Sequence, residues 1–111
     1  MKKDVMMQRN QISQMVRMGN RIGSHRNCCR IIMGNSYEHE LAKFNRCFKE
    51  INDGKEILTE CVFENGGKAD ILVLDDGLVV ECLVSEKKED CKNKILKYPA
   101  CLSIEYIGGK E

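Results

Sequence analysis

The chain contains no tryptophan, one proline (Pro99), and only three tyrosines and three phenylalanines among 111 residues. Aromatic side chains this scarce give no basis for a base-stacking platform of the kind that binds single-stranded nucleic acid. No stretch approaches the roughly 18–20 apolar residues of a membrane span, so no membrane partner is expected. The segment Met1-Lys2-Lys3-Asp4-Val5-Met6-Met7-Gln8-Arg9 has no apolar leader core, and a cytoplasmic location is expected. The seven cysteines (Cys28, Cys29, Cys47, Cys61, Cys82, Cys91 and Cys101) are odd in number and form no CxxC pair. They lack the spacing of a structural zinc site. Cys61, Cys82 and Cys101 lie in apolar runs, where a thiol packs as a small hydrophobe. No internal repeat, low-complexity block, zinc finger or RNP motif is present.

What is present is charge, unevenly placed. Charged residues make up 32% of the chain and apolar ones 42%, with a net charge of +1, as in a soluble chain of one-domain length. Residues 1–35 carry seven Lys or Arg against Asp4 alone. The remainder is net acidic. A basic arm over residues 1–35 on an acidic domain over residues 36–111 suits a polyanionic partner. Arg17, Arg21, Arg26 and Arg30 are the candidate DNA-binding residues, contacts that should weaken steeply with salt.

Periodicity divides the chain. Val5, Gln8, Ile12, Met15 and Val16 share one face of a first helix, broken at Gly19-Asn20 and Gly23-Ser24. Tyr37, Leu41, Phe44, Phe48 and Ile51 predict the buried stripe of a second helix, capped by Asn35 or Ser36 and ended at Asp53-Gly54. Glu56–Phe63 predicts a strand, and Asn65-Gly66-Gly67 a turn. Residues 70–75 and 78–85 predict a hairpin closed by Asp76-Gly77. A charged helix is expected over 86–97, stopped at Tyr98-Pro99. A last strand is expected over 101–107, closed by Gly108-Gly109.

The hairpin holds two acids in unusual places. Asp70 begins its first strand, and Glu81 interrupts the apolar run Val79-Val80-Glu81-Cys82-Leu83. With a two-residue turn, Asp70 faces Leu83 and Leu72 faces Glu81. The two acids are then diagonal neighbours on one face, roughly 7–8 Å apart along the backbone. An unpaired charge inside such a strand costs several kcal/mol, so something positive is expected to join them.

This element order, with these acids, resembles the core of the PD-(D/E)xK nuclease superfamily. Ala69-Asp70 matches the first half of the motif, with Ala in place of Pro. Glu81-Cys82-Leu83 matches the second half, with Leu83 where Lys is expected. Tyr37-Glu38-His39-Glu40-Leu41 is similar to the helix start of archaeal Holliday-junction resolvases, whose first Glu carries over to Glu38. The resemblance implies a restriction-endonuclease-like α-β-β-β-α-β fold of the α/β class with a mixed four-stranded sheet over about residues 36–107. It implies metal-dependent hydrolysis of a DNA phosphodiester. Asp70, Glu81 and the carbonyl of Cys82 would bind Mg²⁺ or Mn²⁺, and Glu38 would bind a second ion or orient water. Lys68, two residues before Asp70, is the preferred substitute for the missing motif lysine. His39, between two acids, could also lie near the site. A homodimer is reasonable for a duplex cutter. The alternatives are a noncatalytic nucleic-acid-binding module on the same fold, or a regulatory protein of viral or mobile-element type that binds a partner through its Met-rich arm.

Overall fold

The computed structural model describes residues 3–16, 26–64, 66–87 and 98–110. Its elements run α1 (Lys3–Ser13), α2 (Tyr37–Asn52), β1 (Ile57–Val62), β2 (Lys68–Val73), β3 (Leu78–Lys87) and β4 (Ser103–Lys110). The strands form one mixed sheet in the order β1-β2-β3-β4. The first three make an antiparallel meander, and β4 pairs parallel to β3. A parallel pair needs a long crossover, here the chain between Lys87 and Ser103. The protein is therefore α/β with a four-stranded mixed sheet.

Both sheet faces are covered, as the nearly continuous apolar runs of β2 and β3 require. On one face, Ile12 and Val16 join Leu58, Phe63, Leu72, Leu74, Val79, Tyr98 and Leu102 in a buried cluster. The N-terminal helix thus contributes to the main core. Val16 bridges Phe63, and Glu64 N–H donates to the Met15 carbonyl. On the other face, Cys47 of α2 packs on Ile57, Ile71, Val73, Val80 and Cys82. Cys61 is buried as well, whereas Cys101 is exposed, contrary to expectation. It sits in the turn before β4 rather than within that strand.

Helix α2 begins at Ser36, whose hydroxyl accepts from His39 N–H, the expected cap. It ends at Asp53, followed by Gly54 at φ +84°. Its buried side is not the expected one. Glu40, Lys43, Cys47 and Glu50 face the sheet, while Tyr37, Leu41, Phe44, Phe48 and Ile51 are exposed. Paired charges make this possible. Arg46 donates to Glu50 at 2.8 Å and to Glu105 of β4 at 2.9 Å, and Lys43 lies between two carboxylates.

The hairpin also departs from the two-residue turn. Val73 pairs with Leu78, leaving the four residues Leu74–Gly77 as the turn. Asp75 is held outside the ladder. It accepts from Arg9 at 2.7 and 2.8 Å and from Glu56 N–H at 2.9 Å. These bonds would be lost if Asp75 paired with Leu78. Strand β3 continues to Lys87, so the expected helix over 86–97 does not begin at Glu86; residues 88–97 lie outside the described residues. Strand β4 runs through Gly108 instead of ending before it. Gly108 has φ +70°, and a Cβ there would lie 2.5 Å from the Leu83 carbonyl oxygen.

Candidate functional site

The hairpin register fixes where the two acids stand. Ile71 pairs with Val80, Leu72 with Val79 and Val73 with Leu78. That register excludes the expected pairing of Asp70 with Leu83, and the regular pairs end at Ile71 and Val80. The strands do not pair regularly there. Instead the Asp70 carboxylate accepts the Cys82 N–H at 2.9 Å. A side chain thus takes a main-chain donor, and the hairpin opens into a cleft of about 400 Å³. His39, Glu60, Lys68, Asp70, Cys82 and Tyr98 are among the lining residues.

Strand β1 supplies the second irregularity. Glu60 has φ +50°, a left-handed conformation that side-chain-bearing residues seldom adopt within a strand. Such strain persists only where the surroundings hold it, and it concentrates at functional sites. Here the holding contacts are ionic. Glu60 lies 3.3 Å from the Lys43 ammonium and 3.1 Å from that of Lys68. Lys43 is fully buried, also contacts Glu40 at 2.6 Å, and donates to the Arg30 carbonyl. Its three donors meet three acceptors, which is what a buried ammonium needs.

Glu40 lies at the centre of this network. One carboxylate oxygen accepts from Asn35 at 2.8 Å and meets His39 Nδ1 at 3.1 Å. Burial pushes its carboxyl up, but hydrogen bonds from Lys43, Asn35 and His39 outweigh burial and hold it at about 2. The other His39 nitrogen lies 3.5 Å from Asp70. The ring therefore stands between two carboxylates, and both its nitrogens can donate only as imidazolium.

Glu81 is buried and, unlike Asp70, is not among the cleft-lining residues. The Tyr98 hydroxyl contacts its carboxylate and lies 2.9 Å from the Lys68 carbonyl. Burial, then the hydrogen bond to Glu81, raises the Tyr98 pKa far above its usual range. Burial likewise pushes the Cys82 thiol up to about 12, so Cys82 offers the cleft its backbone rather than a thiolate.

The remaining sequence candidates divide. Lys68 lines the cleft, half exposed and paired with Glu60. Glu38 is exposed in the first turn of α2 and is not among the cleft-lining residues. One and two residues further along the helix, His39 and Glu40 turn toward the sheet instead. The Arg26 guanidinium bonds Glu56 at 2.9 Å. Arg30 is exposed, with its N–H donated to Thr59 at 2.9 Å. Arg17 and Arg21 lie outside the described residues. Lys43, Glu60 and Tyr98 were not anticipated. Lys43 follows Glu40 by three residues, an ion-pair spacing, and Glu60 interrupts an apolar strand as Glu81 does. Tyr98 carries no comparable sequence signal. Among the described residues, no group of three or more His, Cys, Asp or Glu is arranged to hold a metal ion. No family model, curated protein or solved structure matches the chain.

Proposed function

We propose that this chain is a metal-dependent phosphodiester hydrolase acting on DNA, on a restriction-endonuclease-like fold, with the cleft between α2 and the open end of the hairpin as its site. The observation that carries the reading is the hydrogen bond from Cys82 N–H to the Asp70 carboxylate, which ties the first acid to the residue following Glu81 where the ladder opens. The mixed four-stranded sheet is compatible with the resemblance, whose second helix would fall on residues outside those described.

The donor chemistry fits a hard cation. Asp70 and Glu81 are oxygen donors, Cys82 adds a carbonyl, and Mg²⁺ needs only one or two carboxylates because it keeps several waters. When bound, Mg²⁺ or Mn²⁺ supplies charge stabilisation at a phosphate oxygen and a more acidic water. The chain's own residues do the rest. Tyr98 fixes the Glu81 carboxylate, and the Cys82 N–H fixes that of Asp70. Lys68 presents a half-exposed ammonium at the cleft, where a cation can meet developing negative charge. His39 can hold a proton beside Asp70.

The test is incubation of duplex and single-stranded DNA with the protein in Mg²⁺ or Mn²⁺ and in chelator. Metal-dependent cleavage that is lost in both Asp70→Asn and Glu81→Gln is expected. Absence of cleavage with either metal overturns the proposal. One observation favours noncatalytic nucleic-acid binding as the second reading: Leu83 occupies the motif lysine position, and Lys43 and Lys68 already pair with Glu40 and Glu60. That reading expects salt-sensitive binding without cleavage.

A further inference from the structure

Helix α2 carries an apolar stripe that none of the described residues covers. Tyr37, Leu41, Phe44, Phe48 and Ile51 recur at intervals of four, three, four and three residues. That is the repeat of a helix–helix seam. The stripe lies about 100° around the helix from the sheet-facing residues. Tyr37 is 74% exposed, Phe48 62% and Phe44 49%. The preceding loop extends it with Ile31 and Met33, which line an apolar groove with Tyr37, Leu41 and Phe44.

We propose that this face docks on the same face of a second copy of the chain, α2 against α2 and antiparallel across a two-fold axis. The period is the first argument, because a 3.5-residue repeat keeps apolar side chains turned toward a partner helix along its whole length. Area is the second. Tyr37, Leu41, Phe44, Phe48, Ile31 and Met33 are each 41% to 99% exposed, so together they present area comparable to the ~800 Å² per partner of a standard interface. Charge is the third. Exposed Glu38 stands in the first turn and exposed Lys49 in the last. Antiparallel packing sets Glu38 of each helix toward Lys49 of its mate and opposes the two helix dipoles. A two-fold contact is also self-complementary, so one patch suffices for both partners. The same helix carries His39, Glu40 and Lys43 into the cleft, so the pairing holds two clefts at a fixed separation. The inference does not depend on the hydrolase reading.

The experiment is sedimentation equilibrium of the full chain from low micromolar concentration upward. Twice the chain mass is expected. Phe44→Glu with Phe48→Glu should raise the dissociation constant at least about a hundredfold and give the monomer mass with an unchanged far-UV circular dichroism spectrum. If that variant loses its fold, Tyr37→Glu replaces it, because that side chain is three-quarters exposed. A wild-type chain that stays monomeric at every concentration overturns the proposal. So does a folded variant that remains dimeric.

Discussion

Lys43→Met keeps most of the lysine stem and removes its charge. The ammonium lies wholly inside the protein, 2.6 Å from Glu40 and 3.3 Å from Glu60. Breaking one side of a buried ion pair costs about 3–5 kcal/mol. Glu60 retains Lys68, and Glu40 retains Asn35 and His39, so the lower end, about 3 kcal/mol at pH 7, is expected. For domains near this size that lowers the melting temperature by roughly 10–20 °C. Acid provides the sharper test. The native Glu40 carboxyl sits at about 2 against an ordinary 4.5. A depressed native pKa contributes stability that is complete above the unfolded value and is lost as pH falls toward 2. In the variant, burial persists while the main downward influence is gone. Its Glu40 therefore takes up a proton at less cost to folding. The gap between the two proteins should narrow from about 3 kcal/mol at pH 7 to about 1.5 kcal/mol at pH 3.5. Urea unfolding followed by far-UV circular dichroism measures both values, because the chain has no tryptophan to report. A cost below about 1 kcal/mol at pH 7, or an equal cost at both pH values, would refute the reasoning.

Three further outcomes are expected. Arg9→Lys should lose about 1.5–3 kcal/mol despite keeping its charge, because only a guanidinium can make the paired bonds to Asp75 while also reaching Glu56 at 3.1 Å and the Gly54 carbonyl at 3.0 Å. Hydrogen exchange should then quicken in α1, and an unchanged exchange pattern would count against this anchor. Gly108→Ala should lose about 2 kcal/mol or more in the same urea assay, since its methyl meets the Leu83 carbonyl in a left-handed backbone. A wild-type midpoint for that variant would show the close approach to be inessential. Tyr98→Phe should cost about 1–3 kcal/mol by removing the hydroxyl from buried Glu81, and a neutral result would mean Glu81 is satisfied without it.

Much of the architecture was legible because it follows from local rules. The cap at Ser36, the stop at Gly54 and the alternation from helical to extended apolar runs located α2 and the first three strands. The register was not legible. Asp76-Gly77 favours a two-residue turn locally, but Arg9, 66 residues upstream of Asp75, and the Glu56 N–H hold Asp75 out of the ladder. The buried face of α2 was misjudged for a related reason. Its apolar stripe is the stronger pattern, yet Lys43 meets Glu60 and Arg46 meets Glu105 on the sheet, while Glu40 and Glu50 pair within or beside the helix. Asp70 and Glu81 were identifiable as acids out of place in apolar strands. Lys43, Glu60 and Tyr98 were not, because each is defined by what it meets from a distant element.

By itself the chain determined its helices and strands, its α/β character and the two acids that stand out within the hairpin, since these depend on periodicity and side-chain chemistry within a few residues. Tertiary structure alone decided that Asp70 takes the Cys82 N–H, that Glu60 adopts a left-handed backbone between two lysines, and that α2 buries its charges while showing its aromatics. The physical reason is that a buried charge is tolerable only beside a partner, and Arg9, Glu60 and Glu81 find theirs on remote parts of the chain.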